Sequence, residues 1–209
     1  MEIKSIREFV DTCCIDMPDF EKRVMIDKMI SELRDIRESI TEGSYIERQN
    51  KRKEEIKRFF EDVASMRTSE KVYLKRTLGV NDNFEGMYRL LGNTDRYDIR
   101  SYEKPIWALC ARIYCFFDCK QDDKSFATCV GETVSSTSAT LKFENMLATH
   151  TDRFEYLSAD MVRFVRQLKS KNKTFNCESL LIDMLNWNHS NKGVQTKWVQ
   201  DFYNAQLKD

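Results

Sequence analysis

The chain has 209 residues, enough for one domain or two small ones. Its 34 Lys and Arg balance 34 Asp and Glu, which excludes any global charge directed at nucleic acid, membrane or acidic substrate and leaves only local charge to read. Six glycines and two prolines are too few for the turns of an all-β fold, so an all-α protein is expected.

From Asp19, a good N-cap, to Thr41 the apolar residues Phe20, Val24, Met29, Leu33, Ile36 and Ile40 recur at helical spacing. A second helix from Ser44 to Met66 carries Tyr45, Ile56, Phe59, Phe60, Val63 and Met66 on one side, and the two are expected to form a hairpin around Gly43. Residues 1–42 hold seven bases and eleven acids, residues 43–76 ten bases and six acids, so the acidic and basic parts are separate. Shorter helices at 69–78 and 82–91 should end at Gly79 and Gly92, and LGNTDRYD reads as a boundary loop.

Beyond that loop KPIWALCARIYCFF is apolar almost all round, as a central buried helix requires. Residues 125–134, 138–149, 158–170, 177–187 and 191–206 read as short amphipathic helices, with caps at Ser125, Ser158, Asn176 and Asn191. The last places Val194, Trp198 and Phe202 on one stripe; with Trp107, these aromatic residues are expected in the core rather than as base-stacking platforms. Short helices joined by short polar connections are what a helical bundle requires, and the boundary loop divides the chain into 1–97 and 98–209.

Nothing in the sequence assembles a catalytic site. His150, in THTD, and His189, in WNHSN, sit in polar loops and read as solvated side chains rather than general bases. Cys110, Cys115, Cys119 and Cys129 lack a paired CxxC, and since the seven cysteines are an odd number with several among apolar residues, they read as core thiols of a reducing compartment. Asp122, Asp123, Asp160 and Asp183 have no metal-binding spacing, and no phosphate-cradling glycine loop is present. No enzyme, metal or cofactor is expected. No apolar run approaches the roughly 20 residues needed to cross a bilayer, and MEIKSIREFVDTCC lacks the apolar core of a signal peptide, so a cytoplasmic protein without membrane contact is expected.

What remains is local positive charge. In IERQNKRKEEIKRFF, Arg48, Lys51, Arg52, Lys53, Lys57 and Arg58 crowd three turns, with Lys51 and Arg58 on one flank and Lys53 and Lys57 on the other. Such charge is either a solvated face or a phosphate-binding one. Lys71, Lys75 and Arg76 form a second group. A third is more orderly: Arg163 and Arg166 project opposite Met161, Phe164, Val165 and Leu168, with Lys169, Lys171 and Lys173 following.

WALCARIYCFF, KSFATCVGET, LKFENMLATHTDRF, MVRFVRQLKSKNKTFNCESLLIDMLNWN and KGVQTKWVQDFY, in that order, resemble the CasB family, the small subunit of the type I-E CRISPR surveillance complex called Cascade. LLIDMLNWN followed by KWVQDFY is the most distinctive tract; upstream, YLKRTLG and FEGMYRLLG are similar to the family's N-terminal motif, and the resemblance runs from about Val72 to Tyr203.

The resemblance implies a non-catalytic, all-α subunit of two small packed helical bundles, present beside a second copy of itself in a complex with other subunits, guide RNA and target DNA, whose basic surface stabilises the opened duplex and its displaced strand in antiviral defence. Carried over, Lys75 and Arg76 match the basic pair of an L-R-R-like motif, and Lys142 matches the second base of an R-R-F motif whose first position is Leu141 here. Arg153, Arg163, Arg166 and Lys197 match looser basic positions. Together with Arg48, Lys51, Arg52 and Lys169 they form the expected nucleic-acid-binding set. The alternative is a scaffold subunit whose basic patches meet partner subunits rather than DNA.

Overall fold

A computed structural model describes Met29, Leu33, Gly43, residues 46–79, Tyr97 and residues 99–150, 153–189 and 191–207. The chain divides into two compact units, Met1–Arg52 and Lys53–Asp209. In the first, Met29, Leu33, Gly43 and residues 46–52 are helical. Gly43, expected at a turn, is therefore part of a helix; one glycine costs a helix only about 1 kcal/mol, which strong helix formers in the same segment offset. The Asp19 cap, the packing of the N-terminal hairpin, the helix expected at 82–91 and its stop at Gly92 lie outside the described residues.

The second unit is helical in every described element. Its first helix, α1 (53–65), buries Ile56, Phe59, Phe60 and Val63, one stripe of a 3.6-residue period. The next, α2 (Thr68–Arg76), begins where the Arg67 backbone N–H donates to the Glu70 carboxylate at 3.2 Å. Gly79 follows with φ +88°, a left-handed conformation that suits a residue without Cβ, so the expected stop is real.

The central helix is α3 (Lys104–Phe116), with every residue from Ile106 to Cys115 buried. Pro105 lies in its first turn, where the missing N–H has no helical partner to lose. On one side Phe59 meets Trp107 edge-on at 4.7 Å and Phe60 meets Tyr114 at 5.0 Å, tying α1 to α3. On another, Phe117 packs on Phe175 at 5.3 Å and Phe175 on Phe126 at 5.1 Å. Edge-to-face pairs at these separations add about 1 kcal/mol each to the burial itself.

Four further helices and the C-terminal one complete the unit: α4 (Phe126–Gly131), α5 (Thr137–Ala148), α6 (Phe154–Ser170), α7 (Cys177–Leu185) and α8 (Gly193–Gln206). The rings of Phe126, Trp198, Trp187, Phe143 and Phe202 interlock between them, Phe143 and Phe202 stacked at 4.4 Å. Trp107, Trp198 and Phe202 are wholly buried, as the sequence led us to expect. The short α4 lies so close to α8 that a Cβ on Gly131 would come within 2.4 Å of the Phe202 carbonyl oxygen. Only glycine allows that approach.

Two caps are as expected: the Ser125 hydroxyl accepts from the Thr128 N–H and the Asn176 side chain from the Ser179 N–H. Two are not. Ser158 is buried inside α6, its hydroxyl donating to the Glu155 carbonyl, because the apolar stripe starts a turn earlier at Phe154 and Leu157. Asn191 accepts from the Gly193 N–H, but the cap position belongs to Lys192, in a left-handed conformation with φ +48°.

Candidate nucleic-acid interface

Two helices of the second unit each bring a lysine to one carboxylate. The last turn of α2 presents Lys75 and Arg76, and α6 presents Arg163, Arg166 and Lys169 on successive turns. Between them lies Asp118, just beyond the end of α3. Its Oδ1 accepts from Lys75 Nζ at 2.9 Å and its Oδ2 from Lys169 Nζ at 2.8 Å. The Lys169 ammonium also lies 5.9 and 5.6 Å from the ring centres of Phe116 and Phe117. Arg166 donates to the Leu78 carbonyl at 3.3 Å, fastening the end of α2 to α6 beside Gly79. Arg163 pairs with Asp160 at 2.9 Å on its own helix and stays largely exposed, as does Arg76.

The backbone at Asp118 is unusual. The Asp118 N–H donates to the Cys115 carbonyl and the Cys119 N–H to the Tyr114 carbonyl, both at 3.0 Å, the paired bonds that close a helix with a left-handed residue. Glycine is the ordinary occupant of that position. Here Asp118 and Cys119 both adopt it, at φ +58° and +57°, each at a cost of roughly 1 kcal/mol. The carboxylate moreover sits at a helix C-terminus, where the peptide dipoles disfavour an anion. Hydrogen bonds from Lys169 and then Lys75 reverse that and hold the Asp118 carboxyl down at about 2.

The other expected residues lie elsewhere. Lys142 is exposed on α5 beside the buried Phe143. Arg153 immediately precedes α6, and at 1.5 Å per residue it stands about 15 Å along the axis from Arg163. Lys197, on α8, donates to both Asp183 oxygens at 3.1 Å, and Trp198 Nε1 donates to the same carboxylate at 2.7 Å. Arg48, Lys51 and Arg52 belong to the first unit, where Arg48 and Lys51 are exposed and Arg52 half-buried.

A second two-lysine arrangement was not foreseen. Glu132, capping the end of α4, accepts from Lys124 at 2.6 Å and Lys173 at 3.0 Å. Lys124 and, against burial, Lys173 hold its carboxyl below the usual range. Both lysines line a cleft with Asp201, whose carboxylate accepts from Ser125.

The thiols of Cys110, Cys115, Cys129 and Cys177 are buried and free, with Cys119 half-buried. Burial pushes Cys115 up to about 12 and Cys129 to about 11, far from a reactive thiolate. Among the described residues no cluster of His, Cys, Asp and Glu is placed to hold a metal ion, and no helix is long and apolar enough to cross a membrane. His150 and His189 are exposed.

The class of protein this defines is a helical bundle built on one apolar central helix, with lysines from the ends of two others meeting on one carboxylate. The family model for CRISPR-associated protein Cse2 matches residues 62–203, and the chain belongs to that family. No curated protein matches it. CasB from Thermus thermophilus has a similar fold, with a TM-score of 0.62 at 18% identity over 73% of this chain and 97% of that one. M. ruber CasB is similar with a TM-score of 0.58 at 17% identity, over 75% and 95% of the two chains. A chain of a CRISPR RNA-guided surveillance complex gives 0.60 at 13% identity over the same shares. At these identities the likeness establishes the all-helical fold.

Proposed function

We propose that this chain is a non-catalytic small subunit of a type I-E CRISPR RNA-guided surveillance complex, Cascade, and that it binds sugar-phosphate backbone to stabilise the opened target DNA, including the displaced strand. In this reading it works in the cytoplasm beside the other subunits, guide RNA, target DNA and a second copy of itself. The observation that carries the reading is that Lys75 and Lys169, almost a hundred residues apart, meet on Asp118 while Arg166 reaches the Leu78 carbonyl, with Arg76 and Arg163 exposed on the same two helices. Family membership and the likeness to a chain of a surveillance complex support it.

Physically, opening DNA against a guide exchanges one duplex for another of similar stability, so mismatches carry the cost and modest contacts to phosphate tip the balance. Lysine and arginine supply such contacts without reading sequence. Trp107, Trp198 and Phe202 lie in the core and offer no face to a base, which supports binding indifferent to sequence.

The test is DNA retention by the assembled complex across a salt series, wild type beside Arg76→Ala with Arg163→Ala. Both side chains are exposed, so the fold should survive. Retention should fall and the salt slope should flatten by about two, one for each phosphate no longer neutralised. Unchanged retention with impaired assembly would instead favour the scaffold role; unchanged retention and assembly would remove this face from the function.

A further inference from the structure

The carboxylate of Asp118 is not needed where it stands. Glycine or asparagine would close α3 with less backbone strain and without an anion at the helix C-terminus. Its two oxygens go instead one each to Lys75 and Lys169, from helices 43 residues upstream and 51 downstream. A carboxylate and a phosphodiester both offer a pair of anionic oxygens to such donors. Lys169 is fixed from below by the faces of Phe116 and Phe117, and Arg166 pins the end of α2 that carries Lys75. The two ammonium groups therefore form a pre-positioned pair. Asp118 itself is more than half exposed and can rotate into water without disturbing the core.

We propose that Lys75 and Lys169 form a seat for a backbone phosphate and that Asp118 occupies this seat in the free chain, so that nucleic acid enters by displacing the carboxylate. The inference rests on the backbone-binding reading above and adds to it a built-in competitor. Asp118 holds the lysines in place while lowering the affinity of the face for any stray polyanion. Only a ligand with several phosphates, engaging Arg76, Arg163 and the seat together, gains enough to expel it.

Asp118→Asn tests this on the full chain, because asparagine tolerates the left-handed conformation and keeps the helix closure. Two exposed ion pairs are removed as competitors, so random single-stranded DNA should bind the variant about three- to tenfold more tightly. Adding Lys75→Ala and Lys169→Ala should abolish the gain. Inorganic pyrophosphate, followed by NMR titration, probes the seat independently of DNA and should show the same order: Asp118→Asn above wild type, the triple variant below both. DNA binding absent from every protein with the pyrophosphate order intact would defeat the backbone reading and leave the seat standing. An Asp118→Asn chain that binds neither ligand more tightly than wild type would show that the carboxylate is a brace and overturn the proposal.

Discussion

Two carboxylates in this molecule each hold two lysines, and they do so in different ways. Glu132 follows the short α4 in ordinary right-handed backbone, with a side chain about one-fifth exposed and a second acid, Asp201, lining the same cleft. Asp118 stands in left-handed backbone at a helix end that repels it, more than half exposed, and Arg166 on α6 reaches the Leu78 carbonyl just past the helix that carries Lys75. The first arrangement balances its own charge and braces α4 against the segment after α6. The second leaves an excess of cations. Counting lysines ranks the two alike; carboxylates and backbone conformation separate them.

The strongest way to break the comparison is to detach α4 from α8. In Gly131→Ala the new methyl meets the Phe202 carbonyl at 2.4 Å, backbone that cannot step aside, and a loss of about 3 kcal/mol in urea unfolding is expected. A loss below about 1 kcal/mol would mean the two helices slide freely and the Glu132 brace is dispensable.

A gentler substitution asks what the brace contributes. Glu132→Gln removes the charge from both hydrogen bonds and should lower stability by about 1 kcal/mol while leaving DNA binding unchanged. Stronger DNA binding in that variant, matching Asp118→Asn, would make the two carboxylates equivalent and dissolve the distinction.

The smallest effect is a titration. Lysine partners depress the Asp118 pKa, so its contribution is complete above the unfolded value, about 3.9, and is lost as pH falls from there through about 2. Solvent screening at so exposed a group keeps that contribution under about 1 kcal/mol. Asp118→Asn should therefore flatten the acid limb of a stability profile slightly. An identical limb in wild type and variant would mean that the ion pairs do not persist in solution.

How much of this the sequence discloses depends on the range of the interaction. The burial of α3 is written locally, in ten consecutive residues from Ile106 to Cys115 with almost no polar face, and so are the caps at Ser125 and Asn176. Ser158 shows the limit of cap signals: a serine mid-stripe resembles a start, but Phe154 and Leu157 already lie on the stripe that it interrupts. Asp183 looked like a solitary acid because its partner Trp198 is fifteen residues and one helix away. Lys75, Arg163 and Lys169 were legible as cations; that Lys75 and Lys169 share a carboxylate was not, since no local pattern links positions 75, 118 and 169. One local hint did exist, an aspartate directly after an apolar helix, in the place where glycine normally stands.

The buried thiols carry a consequence of their own. Cys110, Cys129 and Cys177 are enclosed in the core, whereas Cys119 sits half-open at the strained end of α3. An alkylating reagent reaches the first three only when the packing around them opens, and reaches Cys119 with far less disturbance. Among the described residues these thiols thus form a natural series of clocks, from Cys119 beside Asp118 to Cys110 at the centre of the bundle, through which local loosening and global unfolding are timed separately.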